Sequence, residues 1–293
     1  MVPAVTKLHA LFGARIAGLD LSADLDDPTI RFISDTIASF GVLVFCNQHL
    51  SNDQQVAFAR RFGVPETSTQ AYRPNEKLRL RPEMADVSNL DVEGRTRGRD
   101  DRQRMFSLGN QLWHTDSSFR EVPGALSILH LHGAPPSWGG ETEFTDMRVA
   151  YDALPARRKA RLDGLVAEHS LMHSRSLLGF ADFSAEERAA MPPVRQPVVR
   201  RHEGSGRKTL YLASHASHII GMPVPDGRML LRDLIEFATQ REFVHTHSWA
   251  EGDLVMWDNR CTLHRGRAYD EMEKRDLRRV TTSDARPGIE MAA

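Results

Sequence analysis

The sharpest chemical signal in the chain is Leu112-Trp113-His114-Thr115-Asp116-Ser117. In an extended segment successive side chains alternate between faces, so His114 and Asp116, two apart, project together. A neutral imidazole and a carboxylate on one face are two legs of a metal site. The third leg has to come from elsewhere, and His264 in Asp258-Asn259-Arg260-Cys261-Thr262-Leu263-His264-Arg265 is the best candidate, expected in the loop after the apolar strand Leu254–Trp257. Two imidazoles and one carboxylate on one face of an octahedron leave three positions open, the arrangement of non-haem iron(II) oxygenases. The same ligand types serve zinc, but no H-E-x-x-H helix offers the general base a zinc hydrolase would need.

An isolated His-x-Asp is common, and a lone His is more often a packing residue than a ligand. What gives these three weight is an anion-binding pattern downstream, Arg275 and Arg279 in Lys274-Arg275-Asp276-Leu277-Arg278-Arg279-Val280-Thr281. On a strand, residues four apart share a face, so both guanidinium groups enter one cavity while Arg278 points away. Inward-facing cations carry a severe desolvation cost unless each meets an anion. The planar guanidinium fork matches a carboxylate. Two small anions held side by side next to a metal is the implied chemistry. The bland alternative is a solvated, charge-rich strand, since Glu271, Glu273 and Asp276 stand nearby.

Taken together, these elements resemble the iron(II)- and 2-oxoglutarate-dependent dioxygenases of the taurine dioxygenase group. The likeness rests on His114-Thr115-Asp116, a second His 148 residues beyond the Asp, and an Arg eleven residues after that His. It runs from about Leu8 to Asp284, and within the group it is to the 2,4-dichlorophenoxyacetate dioxygenases. The segments that carry it are SNDQQVAFARRFG from Ser51, NQLWHTDSSF from Asn110, TEFTDMRVAYDALP from Thr142, GSGRK from Gly204 with SHASH from Ser214, and GDLVMWDNRCTLHRG from Gly252.

The resemblance implies a mainly β fold with flanking helices, a double-stranded β-helix or jelly roll. It implies that His114, Asp116 and His264 ligate Fe(II) and form the catalytic centre. Thr142 and Arg275 would hold the distal carboxylate of the cosubstrate 2-oxoglutarate. Arg279 would hold the carboxylate of a small anionic substrate, with His202, His215 and His218 on the substrate side. With O2, and ascorbate as a supporting reductant, the implied reaction is hydroxylation of the ether CH2 of an aryloxyalkanoate. Its products are a phenol and glyoxylate, with succinate and CO2. An Arg anchor accepts sulfonate as readily as carboxylate, so a sulfonate or alkyl-sulfate dioxygenase is the nearest alternative. A non-catalytic ligand-binding jelly roll is a remote one.

Several elements have to position these residues. Apolar spacing predicts a helix over Phe32–Phe40, and Gly41 then opens the buried strand Val42–Phe45. Ser51 with Gln54 forms a capping box for a helix that Gly63 is expected to stop. Short strands are expected at Ala85–Leu90, Leu126–Leu131, Thr142–Thr145, Leu165–Ser170, Pro197–Arg201, Thr209–Ala213, Phe243–Trp249, Asp253–Trp257 and Leu277–Thr282. A further helix over Pro225–Gln240 is expected to bury Met229, Leu230, Leu234, Ile235 and Phe237. Many short strands with a few helices read as a sandwich or barrel with helical buttresses. A single domain over 1–293 is the expected organisation. Residues 64–110, polar and carrying Arg95, Arg97, Arg99, Arg102 and Arg104, read as a lid or substrate insertion within it.

Composition sets the outer bounds. With 38 basic against 39 acidic side chains there is no polybasic footprint, which argues against nucleic acid or anionic membrane as partner. Cys46 and Cys261 are too few for a disulfide framework or a thiolate zinc cluster. The N-terminal segment reaches Arg and Asp too early for a signal peptide, and no apolar run approaches a membrane span. A cytoplasmic homo-oligomeric enzyme is the expectation. The 13 His, against four Tyr and four Trp, fit a chain that uses imidazole for chemistry.

Overall fold

The structure, a computed structural model, describes residues 3–72, 77–135 and 137–284. Among them the chain forms β1 (Ala4–Lys7), β2 (Ala14–Ala17), β3 (Val42–Phe45), β4 (Ala85–Asp86), β5 (Gly124–Gly133), β6 (Thr142–Asp146), β7 (Val166–His169) and β8 (Val194–Pro197). It continues with β9 (Val199–Arg201), β10 (Lys208–Leu210), β11 (Ala216–Ile219), β12 (Val244–His247), β13 (Leu254–Asp258), β14 (Thr262–Gly266) and β15 (Asp276–Ser283). The helices are α1 (Asp27–Phe40), α2 (Asn52–Arg60), α3 (Arg102–Ser107), α4 (Met147–Ala153), α5 (Ala156–Leu162), α6 (Leu171–Ser176), α7 (Ala185–Ala190) and α8 (Val224–Ala238).

Strand alternation sorts the main sheet into two faces. The sheet has the order β1-β2-β3-β13-β5-β15-β4. On one face Val42, Val44, Leu129, Leu131, Val255, Trp257 and Leu277 pack with Phe144 of β6, which belongs to the facing sheet β12-β6-β14. On the other, Leu43, Phe45, Ile128, Met256 and Val280 pack against Ile33 and Ile37 of α1 and Val56 and Phe58 of α2. Two facing sheets with helices buttressing the outside give the expected jelly roll.

The alternation also aims the functional strand. On β15, Leu277 packs inward and Arg279 pairs opposite Leu129, another inward residue. Arg278 points the other way, donating to Asn52 Oδ1 at the start of α2 at 2.8 Å. Behind that face, the fully buried Gln55 of α2 donates its amide to the carbonyls of Ile128 and Arg278 at 3.0 and 2.9 Å, tying the helix to β5 and β15. The Ser51–Gln54 capping box is present. A cap of this kind contributes about 1 kcal/mol to helix stability.

Three local expectations change. Helix α2 ends at Arg60, with Arg61 as its C-cap, so Gly63 lies beyond the stop. Of the strand expected over Ala85–Leu90, only Ala85 and Asp86 form regular ladder pairs, with Arg279 and Arg278 of β15; Val87 and Asn89 continue with single backbone bonds to Leu277 and Arg275, and Leu90 bridges to Thr96. In α8 the buried line is Gly227, Leu231, Leu234 and Ala238, and Met229 is 54% exposed. Only one stripe of a 15-residue surface helix can face β11 and α4, and Met229 lies off it.

Within 64–110, residues 73–76 lie outside the described residues. Four of the five arginines there meet carboxylates: Arg95 pairs with Asp91 and Glu93 and Arg97 with Asp101 nearby in the chain, while Arg102 reaches Asp182 and Glu187 and Arg104 reaches Glu271. Such pairs explain how so charged a stretch packs, although exposed pairs each add less than about 1 kcal/mol.

Candidate metal centre and its two cavities

His264 lies on β14, paired with Phe144 of β6, and not in a loop as expected, and His114 extends this small sheet as an extra bridge on the edge of β14. Its backbone exchanges two hydrogen bonds with His264, N to O in each direction at 2.9 Å. Residues bridged this way lie directly opposite, so residues 150 positions apart in sequence place their rings 4.1 Å apart between centroids. Thr115 turns away, its Oγ1 lying 3.0 Å from the carbonyls of Leu212 and Thr262. Asp116 therefore returns to the side of His114, and the chain bends sharply after it at Ser117, whose φ is 55°.

His114 Nε2 lies 3.7 Å from Asp116 Oδ1, and His264 Nε2 lies 3.7 Å from Asp116 Oδ2. One donor atom from each of the three fits within 4.8 Å of the others, and all three residues are buried. His114 Nδ1 is 2.7 Å from the Leu112 carbonyl. A carbonyl only accepts, so Nδ1 carries the proton and the Nε2 lone pair faces Asp116. Burial pushes the His114 imidazole down to about 4 and that of His264 well below its ordinary value, so both are neutral at pH 7. Burial alone would raise the Asp116 carboxyl; the Arg279 cation, with the Ser127 hydroxyl, outweighs it and holds the group below its usual range. Two neutral imidazoles and an ionised carboxylate converging on one point fit a divalent metal.

A second group, His202, Asp258 and Cys261, also brings three donor types together. It is already filled. Asp258 accepts from Arg260 Nε at 2.8 Å and Nη2 at 2.6 Å, and its Oδ2 lies 3.0 Å from His202 Nε2. Burial pushes the Cys261 thiol well up, so it stays protonated. The cluster is a closed network under the turn between β13 and β14, where a metal would have to displace a guanidinium.

Two cavities meet at the ligands. One is lined by Thr142, Arg275, Trp257, Leu129, His114 and His264. Arg275 is buried there, donating to the Gly140 carbonyl at 2.8 Å and lying over the Tyr269 ring at 4.9 Å. Among the described residues no carboxylate pairs with it, and burial pushes its guanidinium down to about 10. A buried cation held this way is built to receive an anion. Beside it, Thr142 Oγ1 accepts from Trp249 Nε1 at 3.0 Å, so its own proton is free to be donated into the cavity. Gly140, at φ 78°, makes room for this: a Cβ there would lie 2.9 Å from Arg275 Nε.

The other cavity is lined by Glu66, Phe106, Phe119, Leu171, Arg175, His215 and Thr281, and reaches His114 and Asp116. Arg279 borders both cavities, with Nη1 2.6 Å from Asp116 Oδ1. Phe106, Phe119 and Leu171 belong to a separate apolar cluster with Phe180 and Phe183, which gives this cavity an aromatic wall.

Of the three His expected on the substrate side, His215 lines one of these two cavities, its Nδ1 2.8 Å from Ser174 Oγ and its ring against Phe119. The structure places His202 in the closed Asp258 network. His218 is partly exposed on β11, with Nδ1 2.9 Å from Ser217 Oγ and 3.7 Å from Glu168. Neither lines the two cavities at the metal centre: His202 turns to Asp258, and His218 lies on β11 opposite Glu168 of β7. Sequence reasoning had passed over Asn110, which lines both cavities, and Glu66, Arg175 and Trp249. Asn110 opens the NQLWHTD segment and was legible in principle; the others sit in segments with no local signal.

A family model described as taurine catabolism dioxygenase TauD, TfdA family, matches residues 4–281. The chain belongs to this family. The alpha-ketoglutarate-dependent 2,4-dichlorophenoxyacetate dioxygenase of Cupriavidus pinatubonensis (strain JMP 134 / LMG 1197) is 50% identical over 277 residues, covering 94% of this chain and 96% of that protein. The (S)-phenoxypropionate/alpha-ketoglutarate-dioxygenase of Sphingobium herbicidovorans is 38% identical, covering 92% of this chain and 91% of that protein. The crystal structure of AAD-2 in complex with Mn(II) and N-oxalylglycine superposes with a TM-score of 0.93 at 46% identity, covering 98% of this chain and 99% of that one. The chain is thus a 2-oxoglutarate-dependent dioxygenase with the jelly-roll fold of the TauD, TfdA family.

Proposed function

We propose that the chain is an Fe(II)- and 2-oxoglutarate-dependent dioxygenase that hydroxylates the ether CH2 of aryloxyalkanoates of the 2,4-dichlorophenoxyacetate type. The observation that carries this is one strand, β15, with Arg279 bordering both cavities and Arg275, just before its first residue, lining one of them; His114, Asp116 and His264 lie where the cavities meet. The names of the two relatives support the aryloxyalkanoate class.

Bound at His114, Asp116 and His264, iron(II) with 2-oxoglutarate and O2 would supply the insertion of one oxygen atom into a C–H bond, with release of succinate and CO2. Arg275 and the Thr142 hydroxyl hold the distal carboxylate of 2-oxoglutarate. Arg279 takes the substrate carboxylate, and the wall of Phe106, Phe119 and Leu171 takes the aromatic ring. An ether CH2 between those two anchors lies next to the metal ligands. Such positioning matters because a displacement of about 1 Å costs roughly 10²-fold in rate. The hydroxylated ether is a hemiacetal: its C–O(aryl) bond breaks, the hydroxyl becomes a carbonyl, and the proton passes to the aryl oxygen, leaving a phenol and glyoxylate.

Residues 64–110 act as the lid, held shut by Arg102 on Asp182 and Glu187 and by Arg104 on Glu271. The same reading has a homo-oligomer working in the cytoplasm on a small anionic substrate, without nucleic acid or membrane as partner. Among the described residues no helix is long and apolar enough to cross a membrane. The test is iron- and 2-oxoglutarate-dependent release of 2,4-dichlorophenol from 2,4-dichlorophenoxyacetate, run beside a panel of sulfonates and sulfate esters. Turnover of taurine or an alkyl sulfate without the aryl ether would overturn the substrate assignment.

A further inference from the structure

The polar atoms behind Asp116 form a buried chain whose direction follows from counting protons. Asn259 Oδ1 accepts the Asp116 backbone N–H at 3.2 Å and the Trp257 Nε1–H at 3.0 Å. That leaves Asn259 Nδ2 to donate to Ser127 Oγ at 2.9 Å. Ser127 Oγ lies 2.7 Å from Asp116 Oδ2 and 2.9 Å from Thr281 Oγ1. A carboxylate only accepts, so the single Ser127 proton goes to Asp116, and the Thr281 proton must point at Ser127. Ser127 and Asn259 have no exposed surface, so water does not substitute for these partners.

We propose that Ser127 is a positioning residue for the metal centre, its hydroxyl holding Asp116 Oδ2 so that the carboxylate keeps one orientation between the two imidazoles. Asn259 and Thr281 aim that hydroxyl by filling its accepting positions. The other carboxylate oxygen, Oδ1, is the one Arg279 reaches. Asp116 is thus held on one oxygen by a group inside the sheet and on the other by a cation that also faces ligand. When Arg279 turns to a substrate anion, Ser127 keeps the carboxylate in place. This rests on the metal-centre reading above.

Removing an outer partner of a metal ligand typically costs about 10–100-fold in metal affinity. Calorimetric titration of the full-length protein with Mn(II) reads this without turnover. Ser127→Ala is expected to raise the Mn(II) Kd by about 10–100-fold, and Thr281→Val, which leaves the Ser127 proton on Asp116, to raise it less. Ser127→Thr keeps the hydroxyl and is expected to retain most of the affinity. Wild-type Mn(II) affinity in Ser127→Ala would overturn the proposal, as would a Ser127→Thr variant as weak as Ser127→Ala. Should Ser127→Ala fail to fold, unchanged affinity in Thr281→Val overturns it. A wild-type protein that binds no Mn(II) would instead overturn the metal-centre reading.

Discussion

Nη1 of Arg279 lies 2.6 Å from Oδ1 of Asp116, so the cation that would anchor a substrate anion already rests on a metal-ligand carboxylate. The contact explains how a guanidinium is tolerated deep in the fold. Arg279 has a carboxylate partner in the absence of ligand, whereas among the described residues Arg275 feels the charge of Glu141 without an ion pair to it. The two arginines are therefore unequal although both point inward. A divalent metal on Asp116 would draw off part of the negative charge that Arg279 feels and leave the guanidinium readier for an incoming carboxylate.

Replacing Asp116 by Ala is expected to abolish turnover and leave the fold standing, because Asp116 belongs to none of the apolar clusters that make up the core. Charge stabilisation by a catalytic metal is worth several kcal/mol, so loss of the site lowers the rate by at least about 10³-fold. Circular dichroism and Mn(II) titration of the variant separate loss of metal from loss of structure. Undiminished activity would remove Asp116 from the ligand set.

Truncating the two arginines is expected to divide the Michaelis constants. Arg275→Ala raises KM for 2-oxoglutarate, and Arg279→Ala raises KM for the aryl ether. Losing one partner of a buried charged pair costs about 2 kcal/mol or more, which is roughly 30-fold in each case. Equal effects of either variant on both constants would refute the division of labour.

Gly109→Ala tests the wall of the substrate cavity. A Cβ on Gly109 would lie 2.3 Å from Arg175 Cζ, and Arg175 lies over the Phe106 ring at 4.4 Å. The guanidinium has to move, and the aromatic wall moves with it. KM for the aryl ether is expected to rise by a factor corresponding to about 1–2 kcal/mol, while KM for 2-oxoglutarate stays near its wild-type value. A change confined to 2-oxoglutarate would show that Gly109 serves the other cavity.

Glu66 predicts a pH dependence of stability. Burial pushes its carboxyl up from 4.5 to about 7, against the pull of Arg120 and the Ser117 hydroxyl. The folded chain therefore holds this proton longer than the unfolded chain, and the group's contribution to stability falls as pH rises from 4.5 to about 7. Glu66→Gln has no charge to bury. In metal-free protein it is expected to gain on the wild type through that window, by about 2–3 kcal/mol above it. Denaturant unfolding at several pH values measures the difference, and parallel curves for the two proteins would show that Glu66 is not the source.

Much of this site can be read from the chain alone because its parts are local. His114 and Asp116 share a face by strand alternation, and Arg275 and Arg279 flank Leu277 by the same rule. The Ser51–Gln54 cap and the apolar run Val42–Phe45 are likewise properties of a few adjacent residues. His202 and His218 show where this fails: a histidine-rich segment carries no record of which way its hairpin turns. Asp258 beside His202 and Glu168 beside His218, each far away in the chain, accompany their actual placement.

Residue type and alternation over two to four positions are enough to specify the ligand types and the alternating faces of the sheet, and to make an inward course for Arg275 and Arg279 one of two possibilities. It takes the closed fold to turn Arg275 and Arg279 toward the cavities, to bring His114 opposite His264 and Arg279 onto Asp116, and to set Ser127 and Trp249 behind the ligand-binding groups. Those relationships join residues far apart in the chain through backbone pairing and buried hydrogen bonds, and their geometry exists only once the sheets have closed on one another.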